Sequence, residues 1–201
     1  YHTDEHVEDD LKPSQALRQR KKSGMNLAIS AVRGGDADGI VSAGNTGALM
    51  AFAKLSLRTL PGINRPAMVS VFPTERGECV MLDLGANIDC DAQTLVQFAM
   101  MGEVFARNVL GVKKPTVGLL NIGSEELKGN ETIRQAASML RDADLPIEFR
   151  GFVEGNDIPA GTVDVVVTDG FVGNVALKTA EGVAKLYLEY MRSAFRRGLF
   201  S

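Results

Sequence analysis

Histidine, tryptophan and cysteine are scarce in this chain of 201 residues. It has no tryptophan, two histidines in an acidic leading segment, His2 and His6, and two isolated cysteines, Cys79 and Cys90. A Ser-His-Asp, Cys-His or histidine-ligated metal mechanism would need a histidine from that segment or from a partner chain, which we do not expect. Two cysteines are too few for a disulfide framework or a zinc cluster, and they favour a reducing cytoplasm.

Strong net charge and long apolar runs are absent as well. The net charge is −3 at pH 7, with 45% hydrophobic and 23% charged residues. Such a charge gives no general attraction to nucleic acid or to an anionic membrane. No run approaches the roughly 20 apolar residues that span a bilayer, and no signal peptide leads the chain. We therefore expect a soluble cytoplasmic protein with no nucleic-acid partner.

What is present is an alternation of β-branched strands and apolar-faced helices. After a polar leading segment over residues 1–13, this pattern predicts one α/β domain over residues 14–201. The expected strands are 39–41, 67–72, 79–84, 116–122, 147–153 and 163–168, and the expected helices are 14–33, from 48, 92–110, from 133 and 173–192. The short connection at 73–77 indicates an antiparallel pair. The prediction is a three-layer α/β/α sandwich with a mostly parallel sheet and one antiparallel insertion.

The predicted helix at 92–110 is apolar on most of its surface. One face carries Leu95, Phe98, Ala99, Gly102, Phe105 and Ala106, and the other carries Val96, Met100, Met101 and Val104. A helix of this kind is buried on two sides, against its own sheet and against something else. A homodimer interface is the preferred second surface, and a further part of the same chain is the alternative.

Glycine-containing turns follow three of the predicted strands, where helix amino ends offer backbone amides to an anion. Residues 42–48 could cradle a phosphate, although on their own they favour a tight turn with a helix cap, and they match no Walker or dinucleotide motif. Asp83 could orient a neighbouring group or only cap its own turn. Because the carboxyl ends of parallel strands meet at one edge, we expect these turns to converge there. The candidate phosphate- and substrate-binding residues are Ser42, Gly44, Asn45, Thr46, Gly47, Asp83, Gly85, Asn87, Asp169, Gly170, Gly173 and Lys178.

Lys128 and Asn174 are the side chains with the sharpest chemical interpretation. Lys128 lies in a charged, glycine-flanked loop, where it would hold an anion, although such loops usually mark a solvated surface. Asn174, at the expected start of the last helix, would stabilise an oxyanion or only cap the helix. Lys178, one turn on, would contact the anion or only face solvent.

The end of the last predicted helix mixes arginines with apolar residues. The mixed set is Arg192, Phe195, Arg196, Arg197, Leu199 and Phe200. Either these arginines complement the helix dipole, or the set begins an amphipathic segment that faces a membrane.

Five motifs, taken in order, carry a family resemblance. They are KPSQALR at 12–18, VSAGNTGA at 41–48, DLGAN at 83–87, LNIGSEELKG at 120–129 and DGFVGNVALKT at 169–179. Together they resemble the bacterial phosphate acyltransferase of fatty acid and phospholipid synthesis, the PlsX family. The resemblance extends over nearly the whole chain from Lys12 onward.

This resemblance implies a fold similar to those of isocitrate and isopropylmalate dehydrogenases and of phosphotransacetylase. It implies a homodimeric acyltransferase that converts acyl-acyl carrier protein and inorganic phosphate into acyl phosphate, with no cofactor and no metal. The product would pass to a membrane glycerol-3-phosphate acyltransferase, with peripheral contact at the inner face of the membrane. Lys128 and Asn174 would be the catalytic pair. The family is longer at both ends, so we expect this chain to be part of the complete protein.

Two other functions stay open. A metal- and nicotinamide-dependent decarboxylating dehydrogenase on the same fold would need clustered carboxylates, and no arginine-rich acid clamp accompanies the available ones. Those carboxylates are Asp83, Asp89, Asp91 and Asp169. The second alternative is a non-catalytic module that binds acyl carrier protein or a membrane enzyme.

Overall fold

The computed structural model describes residues 1–197, and the chain divides into two compact units, Tyr1–Pro66 and Ala67–Ser201. Leu199, Phe200 and the side chain of Arg197 lie outside the described residues. The membrane-facing segment at the end of the chain therefore stays a prediction, as does the single domain over residues 14–201.

The first unit holds three helices, α1 (Pro13–Gln19), α2 (Gly24–Gly34) and α3 (Thr46–Leu57). The prediction of one helix over 14–33 was wrong because Ser23, which is fully buried, ends one helix and starts the next. Its hydroxyl donates to the Arg20 carbonyl at 2.7 Å and accepts from the Asn26 amide at 3.5 Å. The predicted strand at 39–41 was also wrong, since residues 39–41 form neither helix nor strand and Val41 is fully exposed.

The polar leading segment is irregular, as expected, but it is tied to the first unit. The Glu5 carboxylate accepts the Lys22 amide at 2.7 Å, and Glu8 forms an ion pair with Arg20. The hydrogen-bonded Arg20 guanidinium lowers the pKa of Glu8 to about 2. This segment is therefore ordered by side-chain hydrogen bonds and an ion pair, which helix and strand patterns in the sequence do not predict.

The second unit is built on a five-stranded sheet with strand order β1-β2-β5-β3-β4. Its elements are β1 (Val69–Thr74), β2 (Gly77–Leu82), α4 (Ala92–Val109), β3 (Thr116–Leu120), α5 (Glu131–Asp142), β4 (Glu148–Val153), α6 (Asp157–Ala160), β5 (Val165–Val167) and α7 (Gly170–Arg197). Strand β1 pairs antiparallel with β2 across the short hairpin, and every other pairing is parallel. The mostly parallel sheet with one antiparallel insertion is thereby confirmed.

Alternate residues of the strands bury against helices on both faces of the sheet. Val80, Val117 and Val165 pack with α4 and α5 in one core. Met81 and Val166 belong to a second core that includes α6 and the start of α7. Residues 165–167 are fully buried because β5 is the central strand, which explains why its sequence is continuously apolar.

Helix α4 was predicted to be buried on two sides, and the structure confirms this for one of them. The predicted inner face is buried in the core against the sheet, where Leu95, Phe98 and Ala99 lie, and so has its partner within the unit. On the predicted outer face Val96 is buried in the same core, whereas Met100 and Val104 are 38% and 46% exposed. For this exposed part of the outer face the homodimer interface stays a prediction.

The one charged residue in the last predicted strand, Asp164, joins the amino ends of β3 and β5. Its carboxylate accepts the Thr116 amide at 2.7 Å and the Thr116 hydroxyl at 2.6 Å, and that hydroxyl accepts the Asp164 amide at 3.0 Å. These residues are 48 positions apart in the sequence. The interruption in the apolar pattern is thus a polar clasp that fixes where the two strands meet.

We expect Asp164→Ala to lower the free energy of unfolding by about 1.5 to 3 kcal/mol, because hydrogen bonds to a charged group are lost. Urea unfolding followed by circular dichroism measures the change. The matched control is Asp144→Ala, since Asp144 is exposed, and it should stay within about 0.5 kcal/mol of the parent protein. Equal stabilities for the two variants would contradict a structural role for the clasp.

Candidate active site

The turn after β2 is organised around the carboxylate of Asp83, which is fully buried. One carboxylate oxygen accepts the Met68 amide at 2.8 Å and the Ala86 amide at 3.2 Å. The other accepts the backbone amide of Asn87 at 2.6 Å and its side-chain amide at 2.8 Å. Four hydrogen bonds occupy this carboxylate, so its geometry favours the structural alternative, in which Asp83 shapes the 83–87 turn.

The start of α7 lies directly against this turn. The Gly170 amide donates to the Asn87 carbonyl at 2.7 Å. A Cβ at Gly173 would lie 1.8 Å from the Asp83 carbonyl oxygen, and one at Gly170 would lie 2.8 Å from the Asn87 carbonyl oxygen. Since no side chain fits there, the two glycines are what allow the helix to approach the turn.

Helix α7 begins at Gly170, three residues before the predicted start, and this changes the interpretation of Asn174. The Asp169 carboxylate accepts the Val172 amide at 2.8 Å and so caps the helix. The capping alternative for Asn174 was therefore wrong. Asn174 is exposed inside the helix, and its Cβ and Cγ would lie 3.7 Å from a Cβ on Gly85. Its amide thus stands over the 83–87 turn.

Lys128 lies in the loop that follows β3 and Asn121, residues 122–130, which we call the Lys128 loop. Its backbone amide donates to the Glu125 carbonyl at 3.0 Å, and its Cγ would lie 3.0 Å from a Cβ on Gly123. The neighbouring Glu126 pairs with Arg141 at 3.4 Å. Within residues 1–197 the Lys128 ammonium has no ion-pair partner, so its charge is available to a bound anion.

The strand order brings these elements to one edge of the sheet. Strand β5 pairs in parallel with β2 on one side and with β3 on the other. The 83–87 turn, the start of α7 and the Lys128 loop come after the carboxyl ends of these three neighbouring strands. Adjacent strands are about 4.8 Å apart, so the three connections begin within roughly 10 Å of one another. Their catalytic and binding roles stay predictions.

Lys178 has a partner within its own helix. Its ammonium lies 3.0 Å from the Glu181 carboxylate, and the two side chains are 64% and 42% exposed. An exposed pair of this kind contributes little to stability. The alternative of a surface lysine fits this geometry, and contact with an anion stays a prediction.

The predicted phosphate cradle at 42–48 belongs to the first unit. There Asn45 caps α3 by accepting the Ala48 amide at 3.0 Å, and its NH₂ group donates to the carbonyls of Glu8, Asp9 and Leu11. The Ser42 hydroxyl accepts the Gly44 amide at 3.3 Å. These contacts are those of a tight turn with a cap; a role for Ser42, Gly44, Thr46 and Gly47 in binding phosphate stays a prediction.

The sequence pattern does not single out one polar residue of this edge. Asn121, directly after β3, falls within the strand predicted at 116–122, although it is an amide in an apolar run. It is 8% exposed and contacts the Lys128 loop. The signal that would have found it is the same one that singled out Asp83, a polar residue at the end of a buried strand.

Cys79 and the histidines offer no activated nucleophile to this edge, whereas Cys90 lies beside it and its thiol donates to the Asn87 carbonyl at 3.6 Å. Burial raises the pKa of the Cys79 thiol to about 11, so it is not a thiolate at neutral pH. His2 Nε2 lies 3.3 Å from Asp4 Oδ1 on the exposed leading segment.

Among residues 1–197, no three histidine, cysteine, aspartate or glutamate side chains group as a metal site. In the same part of the chain, none of the helices combines the length and apolar character that crossing a bilayer requires.

The sequence profile of one family, described as "Fatty acid synthesis protein", matches residues 1–201. The chain belongs to this family. Among curated members it is 62% identical over 201 residues to the phosphate acyltransferase of Paramagnetospirillum magneticum and 66% identical over 200 residues to that of Rhodospirillum centenum. All of this chain is aligned in both cases, with 57% and 56% of the relative. The chain thus spans little more than half the length of these relatives, and the family resemblance is confirmed.

Two solved structures share the fold of this family member. The EutD phosphotransacetylase from Staphylococcus aureus gives a TM-score of 0.62 at 18% identity, covering 86% of this chain and 63% of its own. A branched-chain phosphotransacylase from Enterococcus faecalis V583 gives 0.53 at 20% identity, covering 77% and 62%. At such identities the likeness concerns the fold alone. The similarity to isocitrate and isopropylmalate dehydrogenases stays a prediction.

We expect Gly173→Ala to destabilise the protein by at least about 1 to 3 kcal/mol, because the added methyl collides with a backbone carbonyl that cannot move aside cheaply. Urea unfolding measures this. Gly182→Ala, on the same helix with nothing within 4 Å, is the matched control and should gain about 0.5 to 1 kcal/mol from helix propensity. A Gly173→Ala variant as stable as the control would show that the close approach of α7 is not required.

Proposed function

We propose that the complete protein transfers the acyl group of acyl-acyl carrier protein to inorganic phosphate. The products are acyl phosphate and the free carrier thiol, and acyl phosphate would be consumed in phospholipid synthesis. The names of the curated relatives and the residue inventory of the sheet edge support this. The observation that carries most weight is the position of an exposed lysine, without an ion-pair partner in residues 1–197, and an exposed asparagine after neighbouring carboxyl ends of one parallel sheet.

The reaction needs no nucleophile from the protein. An oxygen of phosphate attacks the thioester carbon, and the carbonyl oxygen becomes an oxyanion in the tetrahedral intermediate. When the intermediate collapses, the carbon–sulfur bond breaks and the sulfur leaves as a thiolate. A cysteine-like thiol has a pKa of about 8.5, so this leaving group requires little help from an acid. The scarcity of histidine and the protonated Cys79 thiol are compatible with such chemistry.

Positioning and charge stabilisation are then the contributions of the protein. Lys128 would hold phosphate as a point charge, because its ammonium is exposed and unpaired within residues 1–197. Asn174 would donate its amide N–H to the developing oxyanion. Its place on a helix, over the 83–87 turn, gives it a more rigid base than a loop would. Asp83 would act through the turn rather than on the substrate.

The two rival functions receive less support. A decarboxylating dehydrogenase needs grouped carboxylates for a divalent metal, and Asp83 is committed to backbone amides while Asp169 caps α7. A non-catalytic binding module would leave Lys128, which has no ion-pair partner in the described part of the chain, without a role. Neither is favoured by a specific contact among the described residues.

The partners belong to the same proposal. Acyl carrier protein supplies the thioester, and a membrane glycerol-3-phosphate acyltransferase consumes the product, so the protein would work in the cytoplasm beside the inner face of the membrane. A homodimer would cover the exposed outer face of α4, where Met100 and Val104 lie.

In the full-length protein we expect Lys128→Ala and Asn174→Ala each to lower the rate of acyl-phosphate formation by about 10²-fold, the typical cost of removing one charge-stabilising group. Release of the carrier thiol, followed with a chromogenic disulfide, measures the rate. Lys185→Ala, which removes an exposed lysine of α7, is the control and should keep the parent rate. Parent rates for either Lys128→Ala or Asn174→Ala would remove that residue from the proposed mechanism.

A further inference from the structure

We propose that Asn121 is a positioning residue. Its side-chain amide forms two hydrogen bonds to backbone carbonyls of the Lys128 loop, which we call the clamp, and these bonds fix the position of Lys128. This inference rests on the proposed function, in which Lys128 holds phosphate. Asn121 lies directly after β3 and is 8% exposed, so little of its side chain is open to a substrate. It would therefore act through the loop and not on the reacting atoms.

The clamp consists of two hydrogen bonds from one amide group. The Asn121 NH₂ donates to the Gly123 carbonyl at 3.1 Å and to the Lys128 carbonyl at 3.1 Å. Both partners are acceptors, so only the nitrogen end of the amide fits this side, and its orientation is determined by its neighbours. One side chain thus joins the beginning of the loop to the lysine itself.

The oxygen of the same amide is buried without a hydrogen-bond partner among the described residues, and this is unfavourable for folding. Asn121 Oδ1 is buried and has no hydrogen-bond partner within residues 1–197. Buried polar atoms without partners are rare, and each calls for an explanation. Here the oxygen is directed away from the two carbonyls because the nitrogen must face them. When the NH₂ group of Asn121 forms the clamp, Oδ1 is therefore left without a hydrogen-bond partner in the described part of the chain.

Gly129 provides the space for the clamp. A Cβ at Gly129 would lie 2.3 Å from Asn121 Oδ1, and Gly129 has a φ of 87°. Both the contact and the backbone conformation favour glycine immediately after the lysine. The pair of Asn121 and Gly129 therefore determines the direction in which the chain leaves Lys128.

Lys128 depends on this backbone support because, among the residues that the structure describes, its ammonium forms no ion pair. Its amide bonds to Glu125 and its carbonyl to Asn121, while the charge has no ion-pair partner among residues 1–197. A flexible lysine stabilises a bound anion best when its backbone is already in place. Loosening the clamp should therefore weaken phosphate binding specifically.

The test is steady-state kinetics of full-length Asn121→Ser, which removes the clamp without adding charge. We expect KM for phosphate to rise about tenfold or more, while KM for acyl-acyl carrier protein stays within about twofold. In a Lys128→Ala background the same substitution should change kcat/KM for phosphate by less than about twofold, because the residue it positions is gone. Asn26→Ser, which also removes a side-chain amide bond to a carbonyl, is the control and should leave both KM values unchanged.

A second variant approaches the contact from the other side. Gly129→Ala keeps Asn121 but pushes into its amide, so it should raise KM for phosphate in the same way, even if Asn121→Ser folds poorly. A loss of kcat with both KM values unchanged would indicate reduced folded protein only and would overturn the proposal. So would an equal loss in the parent and Lys128→Ala backgrounds. If the parent enzyme forms no acyl phosphate, the proposed function itself fails, and if Lys128→Ala has the parent rate, the proposed role of Lys128 fails. Both failures are distinguishable from unchanged KM values in the Asn121 and Gly129 variants.

Discussion

The buried carboxylate of Asp83 is the contact on which the candidate site depends. A charged group with no exposure to water is tolerated only when its oxygens are fully hydrogen-bonded, and here four donors from Met68, Ala86 and Asn87 meet that requirement. The resulting 83–87 turn presents backbone carbonyls against which Gly170 and Gly173 of α7 pack. The position of Asn174 depends on that packing, so the buried Asp83 would control the position of a residue that is only proposed to contact substrate.

A similar division of labour is found on both sides of the central strand. Beside β5, Asp83 shapes one turn and Asn121 clamps the other, each as a polar residue just after a buried strand. The residues proposed to meet substrate, Asn174 and Lys128, are exposed and hold few contacts of their own. Such an arrangement suits a reaction in which the protein supplies position and charge while phosphate is the nucleophile.

The sheet was predictable because its signals are strong and local. Continuous β-branched residues predicted β5 as a buried strand, and the short 73–77 connection predicted the antiparallel hairpin. The first unit was harder, since the break between α1 and α2 depends on the buried Ser23, and no apolar period reveals a capping serine inside a helical pattern. The prediction of a strand at 39–41 was wrong because a short apolar run does not show whether another strand is available to pair with it.

The candidate site was predictable in outline and not in detail. Residue type and order placed Asp83 and Lys128 on connections after strands, and Asn174 at the start of the helix after another strand. The start of that helix was misplaced by three residues. Asp169 followed by Gly170 is as good a beginning for a helix as Gly173 followed by Asn174. Asn121 was missed because its role depends on two carbonyls of a loop that folds back over it. Contacts of this kind arise from tertiary structure, which a pattern of residue types does not specify.

The central claim is that phosphate attacks the thioester directly, without covalent help from the protein. Full-length enzyme, mixed at a concentration similar to that of long-chain acyl-acyl carrier protein, tests this most directly when phosphate is withheld and the free carrier thiol is measured. We predict no thiol release above spontaneous hydrolysis until phosphate is added, and then one thiol for each acyl phosphate formed. A burst of about one thiol per active site before phosphate is added would reveal an acyl-enzyme intermediate and contradict the account.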